Sequence, residues 1–365
     1  MSNFIHHEES DYFNIRKDAR AERKMAQRKD RSKYKKTDQE KQPIEPEKGS
    51  HQGIVTLIRP EQFFVASEGT TYICSLRGAL KKETQKLKNL VIVGDLVNFD
   101  VTGKESGVIV SVEPRKSLLS RADHLSQQKE HLIAANVDQV FITVSVMDPP
   151  LRTPIVDRYL IAAQKGSLKP IIVCNKVDLL DDPSYAEAER DVQRELLQDC
   201  VQIYNALDLP FIEVSAKTGL GLAKIADMMK DRVSVFSGQS GTGKSSIING
   251  ATGLDLRVGK TVAATRKGSH TTSYTQLLPL SFGGWCIDTP GIKSFGVWDL
   301  KEQDLRSYFD EIQEAASFCK YPDCRHLGEP GCAIPNAIEE GTISLLRFES
   351  YLALLASIQQ EHLRR

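Results

Sequence analysis

The sequence predicts an α/β protein built from a small N-terminal barrel, a parallel-sheet domain carrying a phosphate loop, and a helical, metal-binding C-terminus. Three observations carry this. Five short β runs fall between residues 53 and 112. From residue 137 strands and helices alternate. After Ile292 the strand signals stop, and three Cys and one His then gather within fourteen residues.

Residues 1–50 read as a polar tail. Between Arg16 and Lys36 eleven Lys or Arg stand against three acids, although the chain as a whole has 48 basic and 48 acidic residues. A block of like charge repels itself and is drawn to phosphate backbones. The tail is therefore either an RNA-contacting arm or a solvated one, and Pro43, Pro46 and Gly49 end it as a linker. The β runs 53–58, 62–66, 70–76, 93–101 and 107–112 follow, most of them separated by turn residues such as Pro60, Gly69 and Gly94. Five short strands in so few residues fit an OB-type barrel, with an SH3-like barrel as the other reading. Phe63, Phe64 and Tyr72 are either base-stacking residues or core.

Strands are expected at 137–146, 170–174, 210–214, 233–236 and 285–287, and helices at 154–164, 185–206, 220–229 and from 244. This rhythm belongs to a parallel sheet covered on both faces. Helices at 300–314 and 338–363 flank a Cys/Gly/Pro loop at 318–335, with Leu345, Phe348, Leu352 and Leu355 on one face of the last helix.

Composition narrows the class. With 40% hydrophobic and 26% charged residues the chain reads as soluble and globular. No apolar run approaches the length of a membrane span, and the first ten residues lack a secretory leader's apolar core. Cys74, Cys174, Cys200 and Cys286 sit in apolar or helical contexts as core residues, which fits a reducing cytoplasm.

The chemistry lies in ordered motifs. Gly238, Gln239, Ser240, Gly241, Thr242, Gly243, Lys244 and Ser245, followed by Ser246, form a complete phosphate loop between a strand and a helix. Its glycines let backbone N–H groups face phosphates at a helix N-terminus, Lys244 supplies charge for the β- and γ-phosphates, and the Ser245 hydroxyl suits Mg²⁺. Asn175, Lys176 and Asp178 make an N-K-x-D motif after a strand. A carboxylate there pairs with the two donors of guanine, which adenine lacks, and mispairing costs about 1.5–3 kcal/mol per lost bond. Ser215, Ala216 and Lys217 support this, because the Ala216 N–H can reach the guanine O6. Asp288 and Gly291 of D-T-P-G are placed for the metal shell and the γ-phosphate, and Thr271 or Thr272 completes that shell. Ile292 stands where Ras-like enzymes keep a water-orienting Gln, so His270 is either the group that positions water or a loop residue facing solvent. The guanine reader precedes the phosphate loop, whereas ordinary GTPases have the reverse order. The domain therefore reads as a circularly permuted P-loop GTPase domain binding GTP or GDP with Mg²⁺. Separately, Cys319, Cys324, His326 and Cys332 make a Cys₃His set amid Pro322, Gly328, Pro330 and Gly331, as for one structural Zn²⁺.

Together these residues resemble the RsgA (YjeQ-type) family of circularly permuted GTPases, over about residues 50–363. The resemblance implies an OB barrel at 51–115, a GTPase domain at 116–298 and a helical zinc domain at 299–365, after a basic tail at 1–50. It also implies an aliphatic residue at Ile292, a family-like linker from Arg115 to Arg121, and action late in small ribosomal subunit maturation. Contact with the subunit and its 16S rRNA is implied, with GTP hydrolysis stimulated by the subunit and coupled to release. Ser269 departs from a loop position often basic in relatives. Neither membrane nor DNA is an expected partner, and a monomer is expected. The rival function is an RNA-binding assembly factor that holds GTP as a regulatory ligand.

Overall fold

The computed structural model describes residues 50–78, 80, 90–122, 130–256, 275–288 and 300–363. The basic stretch 16–36 lies outside them, as do His270, Thr271, Thr272, Gly291 and Ile292.

Five strands form the barrel: β1 (His51–Arg59), β2 (Gln62–Ser67), β3 (Thr70–Leu76), β4 (Leu96–Gly103) and β5 (Ser106–Val112). They close in the order β1-β2-β3-β5-β4-β1, with β3 and β5 parallel and the other pairs antiparallel. That closure is the OB arrangement. Alternation fills it: Val55, Val65, Val97, Phe99 and Ile109 are fully buried inside. Phe63 belongs to this core, so of the three aromatics considered for base stacking it is a packing residue. Tyr72 tilts against Phe99 at 5.1 Å, and Phe64 carries the Arg59 guanidinium at 5.4 Å.

β6 (Leu118–Ala122) and β7 (Glu130–Ala135) pair antiparallel where no strand was expected, β6 falling within the Arg115–Arg121 segment likened to a linker. The α/β sheet then runs β10-β9-β8-β11-β13-β12. Its strands are β8 (Gln139–Ser145), β9 (Lys169–Asn175), β10 (Phe211–Glu213), β11 (Val233–Ser237), β12 (Gln276–Pro279) and β13 (Trp285–Asp288). All pair in parallel except β12, which is antiparallel to β13. β12 was not expected; its other edge meets the barrel, with Leu57 of β1 opposite Gln276. The helices are α1 (Thr153–Lys165), α2 (Glu187–Ala206), α3 (Leu222–Met229) and α4 (Lys244–Thr252). Burial of β8 at every position is what a sheet covered on both faces requires.

The C-terminal part differs from expectation in two places. The 300–314 helix is broken into α5 (Glu302–Leu305), a 3₁₀ turn (Arg306–Tyr308) and α6 (Asp310–Ala316), because Phe309 leaves helical geometry at φ −127°, ψ 83°. The last helix is two: α7 (Ile334–Glu339) and α8 (Leu345–Leu363), parted near Gly341 at φ 75°. On α8 Leu345 is 56% exposed, and the buried face runs through Arg347, Tyr351, Leu354, Leu355 and Ile358. Ile161 of α1 joins this helical core.

Candidate active site and metal centre

The phosphate loop, the N-K-x-D motif and the S-A-K motif follow β11, β9 and β10, at the carboxyl ends of parallel strands where ligands bind in such sheets. Two glycines in the loop are required by close approach. A Cβ on Gly238 (φ 149°) would collide with the Thr143 carbonyl, and one on Gly243 (φ 88°) with the Asn175 amide nitrogen. Gly243 is the cap of α4, so the loop delivers the chain to a helix N-terminus. The Lys244 ammonium donates to the carbonyls of Gly238 at 2.8 Å and Gln239 at 2.6 Å, spanning the loop.

Asn175 joins three motifs. Its Nδ2 donates to the Thr242 carbonyl at 2.8 Å, and its Oδ1 accepts the Ala216 N–H at 3.1 Å. The Ala216 N–H, expected to face a guanine, donates here to Asn175. Asp178 lies in a 3₁₀ turn (Val177–Asp181), where its Oδ1 accepts the Ser215 hydroxyl at 2.6 Å and Lys217 stands 3.9 Å away. Lys176 adopts φ 64°, and burial lowers its pKa against the pull of Asp148 and Asp178. Asp288 ends β13 half-buried; burial raises its pKa, and a hydrogen bond with the Gln276 side chain across the ladder draws it back. Gln276 is a residue sequence reasoning missed.

At the other end of the chain, the ligand atoms of Cys319, Cys324, His326 and Cys332 all lie within 4.8 Å of one another. The His326 Nδ1 is 3.7 Å from the Cys319 sulfur and 3.4 Å from that of Cys332. Burial lowers the His326 pKa, favouring the neutral imidazole that metals take, and pushes the Cys324 thiol up to about 12. A divalent cation among the sulfurs reverses that preference by stabilising thiolate. Cys₃His so gathered fits tetrahedral zinc with no position left open. Glu329, also missed, braces the loop by accepting the N–H groups of Leu327 at 2.7 Å and Arg325 at 3.1 Å.

Comparison with known proteins agrees with this geometry. The family model described as RsgA GTPase matches residues 112–298. A protein of Chlorobaculum parvum named small ribosomal subunit biogenesis GTPase RsgA is 37% identical over 318 residues, 84% of this chain and 98% of that one. The chain belongs to the RsgA GTPase family. A Bacteroides fragilis RsgA is 36% identical over 79% of this chain and 90% of its own. Among solved structures, YjeQ from Thermotoga maritima has a TM-score of 0.67 at 33% identity, covering 85% of this chain and 98% of that one. YloQ, described as a circularly permuted GTPase, has 0.64 at 26% identity, over 85% and 96%. Membership makes this RsgA-family chain a GTP hydrolase, with guanine nucleotide and Mg²⁺ implied by the family. Its OB barrel, its order of guanine strand before phosphate strand, and its Cys₃His cluster are the expected fold. Among the described residues no helix is long and apolar enough to cross a membrane.

Proposed function

We propose that this chain hydrolyses GTP as a cytoplasmic maturation factor of the small ribosomal subunit, binding the subunit and its 16S rRNA. The observation that carries the reading is Asn175, whose amide ties the phosphate loop at Thr242 to the base-side loop at Ala216. One nucleotide held by both loops is then read at its base and its phosphates together. The names of the relatives supply the ribosomal context.

In this reading Asp178, steadied by the Ser215 hydroxyl, accepts the two guanine donors, with Lys176, Ala216 and Lys217 alongside. Gly238 to Ser246 surround the phosphates with N–H groups, and Lys244 places positive charge at the β- and γ-phosphates. Ser245, Thr272 and Asp288 would hold Mg²⁺, which would supply positive charge against the charge that develops on the phosphates. Gly291 contacts the γ-phosphate, Thr271 supports the switch, and His270 orients water. Cys319, Cys324, His326 and Cys332 hold one structural Zn²⁺. The division into barrel (51–115), GTPase domain (116–298) and zinc domain (299–365), after the basic tail, follows the same reading, as does a monomeric state.

The test is GTP turnover with and without purified small subunits. Stimulation of about tenfold or more, at least ~1.4 kcal/mol off the barrier, supports a subunit-gated cycle. Turnover indifferent to subunits would favour an RNA-binding factor in which GTP is a regulatory ligand.

A further inference from the structure

We propose that Asp148 and Tyr185 are positioning residues of the guanine pocket: together they hold Lys176 in place and thereby set the affinity for GTP and GDP alike. The inference rests on the reading that Asn175 to Asp178 meets the base.

Sheet order is the first support. β8 lies between β9, which ends at Asn175, and β11, which leads into the phosphate loop. The segment after β8 must therefore emerge between the base-side and phosphate-side loops. It is bound to the first of these, since the Val146 N–H donates to the Asn175 carbonyl at 3.1 Å. It also borders the second, because a Cβ on Gly241 would sit 3.7 Å from the Asp148 carbonyl oxygen and from Pro149.

Within that segment Asp148 has two acceptors committed to the base side. Its main-chain carbonyl accepts the Lys176 ammonium, and its carboxylate accepts the Tyr185 hydroxyl. Its φ of 48° is the left-handed region, which Asp and Asn tolerate better than other side chains do. Tyr185 is no free surface residue, because its ring packs on the core that holds Leu180 and Leu197. The hydroxyl thus runs from a half-buried ring to the exposed carboxylate of the loop after β8. Bonding to Asp148 raises its pKa to about 12, so it stays a donor at physiological pH.

The consequence is entropic. A Lys side chain carries more rotamer freedom than most, and binding that must first order it is weakened. An ammonium already bonded to a backbone carbonyl is ordered beforehand. Because the residues lie on the base side, the gain is shared by GTP and GDP and by ground and transition state, so it appears in KM and Kd and not in kcat.

The test uses the full-length chain with GTP turnover and GDP binding. Tyr185→Phe and Asp148→Gly should each raise the KM for GTP and the Kd for GDP by about 3- to 10-fold, with kcat within about twofold of wild type. Glycine suits the backbone at position 148, so this variant removes the carboxylate without adding strain. Asp148→Asn keeps an acceptor for the hydroxyl and should restore affinity to within about twofold of wild type. The double variant Tyr185→Phe/Asp148→Gly should be no weaker than Asp148→Gly alone, because both remove one interaction. Asp178→Asn is the control for the underlying reading, expected to shift preference from GTP toward xanthosine triphosphate. If it shifts nothing, the guanine assignment itself fails. If it shifts preference while Tyr185→Phe binds GDP like wild type, or loses kcat with KM unchanged, the proposed role of Asp148 and Tyr185 is overturned.

Discussion

Arg347 and Asp157 form a buried ion pair across 190 residues of chain, with 2.5 Å between Nη1 and Oδ1. Asp157 lies on α1, against the nucleotide-binding sheet, and Arg347 on α8, the last helix. The guanidinium also donates through Nε to Glu311 at 2.6 Å and lies 4.3 Å from the centre of the Phe309 ring. Tyr204 of α2 donates to the same Asp157 oxygen at 3.0 Å. Burial alone would lower the Arg347 pKa, but the two carboxylates outweigh it and the net direction is up. Burial pushes the Asp157 carboxyl up and Arg347 draws it back, and these contacts join four helices, α1, α2, α6 and α8, at one point.

Arg347→Met should destabilise the chain by about 3–5 kcal/mol, because it leaves the fully buried Asp157 carboxyl without its partner. The double variant Arg347→Met/Asp157→Leu should recover most of that, since an apolar pair of similar volume needs no desolvated charge. Urea midpoints of the two variants, followed by circular dichroism, decide this. Equal losses would mean that the Arg347 stem packs more than its charge binds.

How much of this was legible follows from where the signal lies. The phosphate loop, N-K-x-D and the Cys₃His set are local strings whose chemistry needs those residues at those spacings, so they could be read directly. The barrel strands were legible because alternation marks a sheet with one buried face, as in Val55, Val65 and Val97. β6 and β7 were missed because Arg121, His131 and neighbouring polar residues interrupt any such pattern. β12 spans four residues and ends in Pro279, too short for periodicity to show. Nothing local marks Arg347 and Asp157 as partners, since no pattern of sequence encodes a contact 190 residues away.

Lys244→Ala should raise the Kd for GTP and GDP by about 10- to 150-fold while the fold persists, because a charged hydrogen bond worth about 1.5–3 kcal/mol is lost at the phosphates. The lysine also closes the loop through Gly238 and Gln239, so Lys244→Arg, which keeps charge but changes shape, should fall between the two. Fluorescent-nucleotide titration reads both. Wild-type affinity in a folded Lys244→Ala chain would remove the phosphate-site assignment.

Gln276 faces Asp288 across the β12–β13 ladder and Leu57 of the barrel on its other side. Orienting partners of a metal-binding carboxylate are typically worth about 10–100-fold in metal affinity or activity. Gln276→Leu should therefore raise the Mg²⁺ concentration for half-maximal GTP turnover about tenfold, with nucleotide affinity in the absence of Mg²⁺ unchanged. A Mg²⁺ profile identical to wild type would show that Asp288 needs no support from this strand.

Cys324→Ser should lose the zinc and loosen residues 319–332 while the rest of the helical core holds. The reason is the division of labour there. Phe309, Ile312, Ile334, Tyr351 and Leu355 bury one another and pack with Ile161, and Arg347 pins α8 to α1. The ligand loop has no comparable core: Phe318 is 81% exposed and Leu327 55%, so metal binding supplies what burial does not. GTP affinity should stay within about twofold of wild type, because no proposed nucleotide ligand lies beyond Gly291 and α1 remains covered. Co-sedimentation with small subunits in the GTP state should weaken, because the exposed aromatic and basic side chains of this loop lose their fixed spacing. Metal content, GTP affinity and co-sedimentation are measured on one preparation. A variant without zinc that still binds subunits normally would take the loop out of subunit recognition, and a variant that also loses GTP binding would show that the metal supports the sheet through α8.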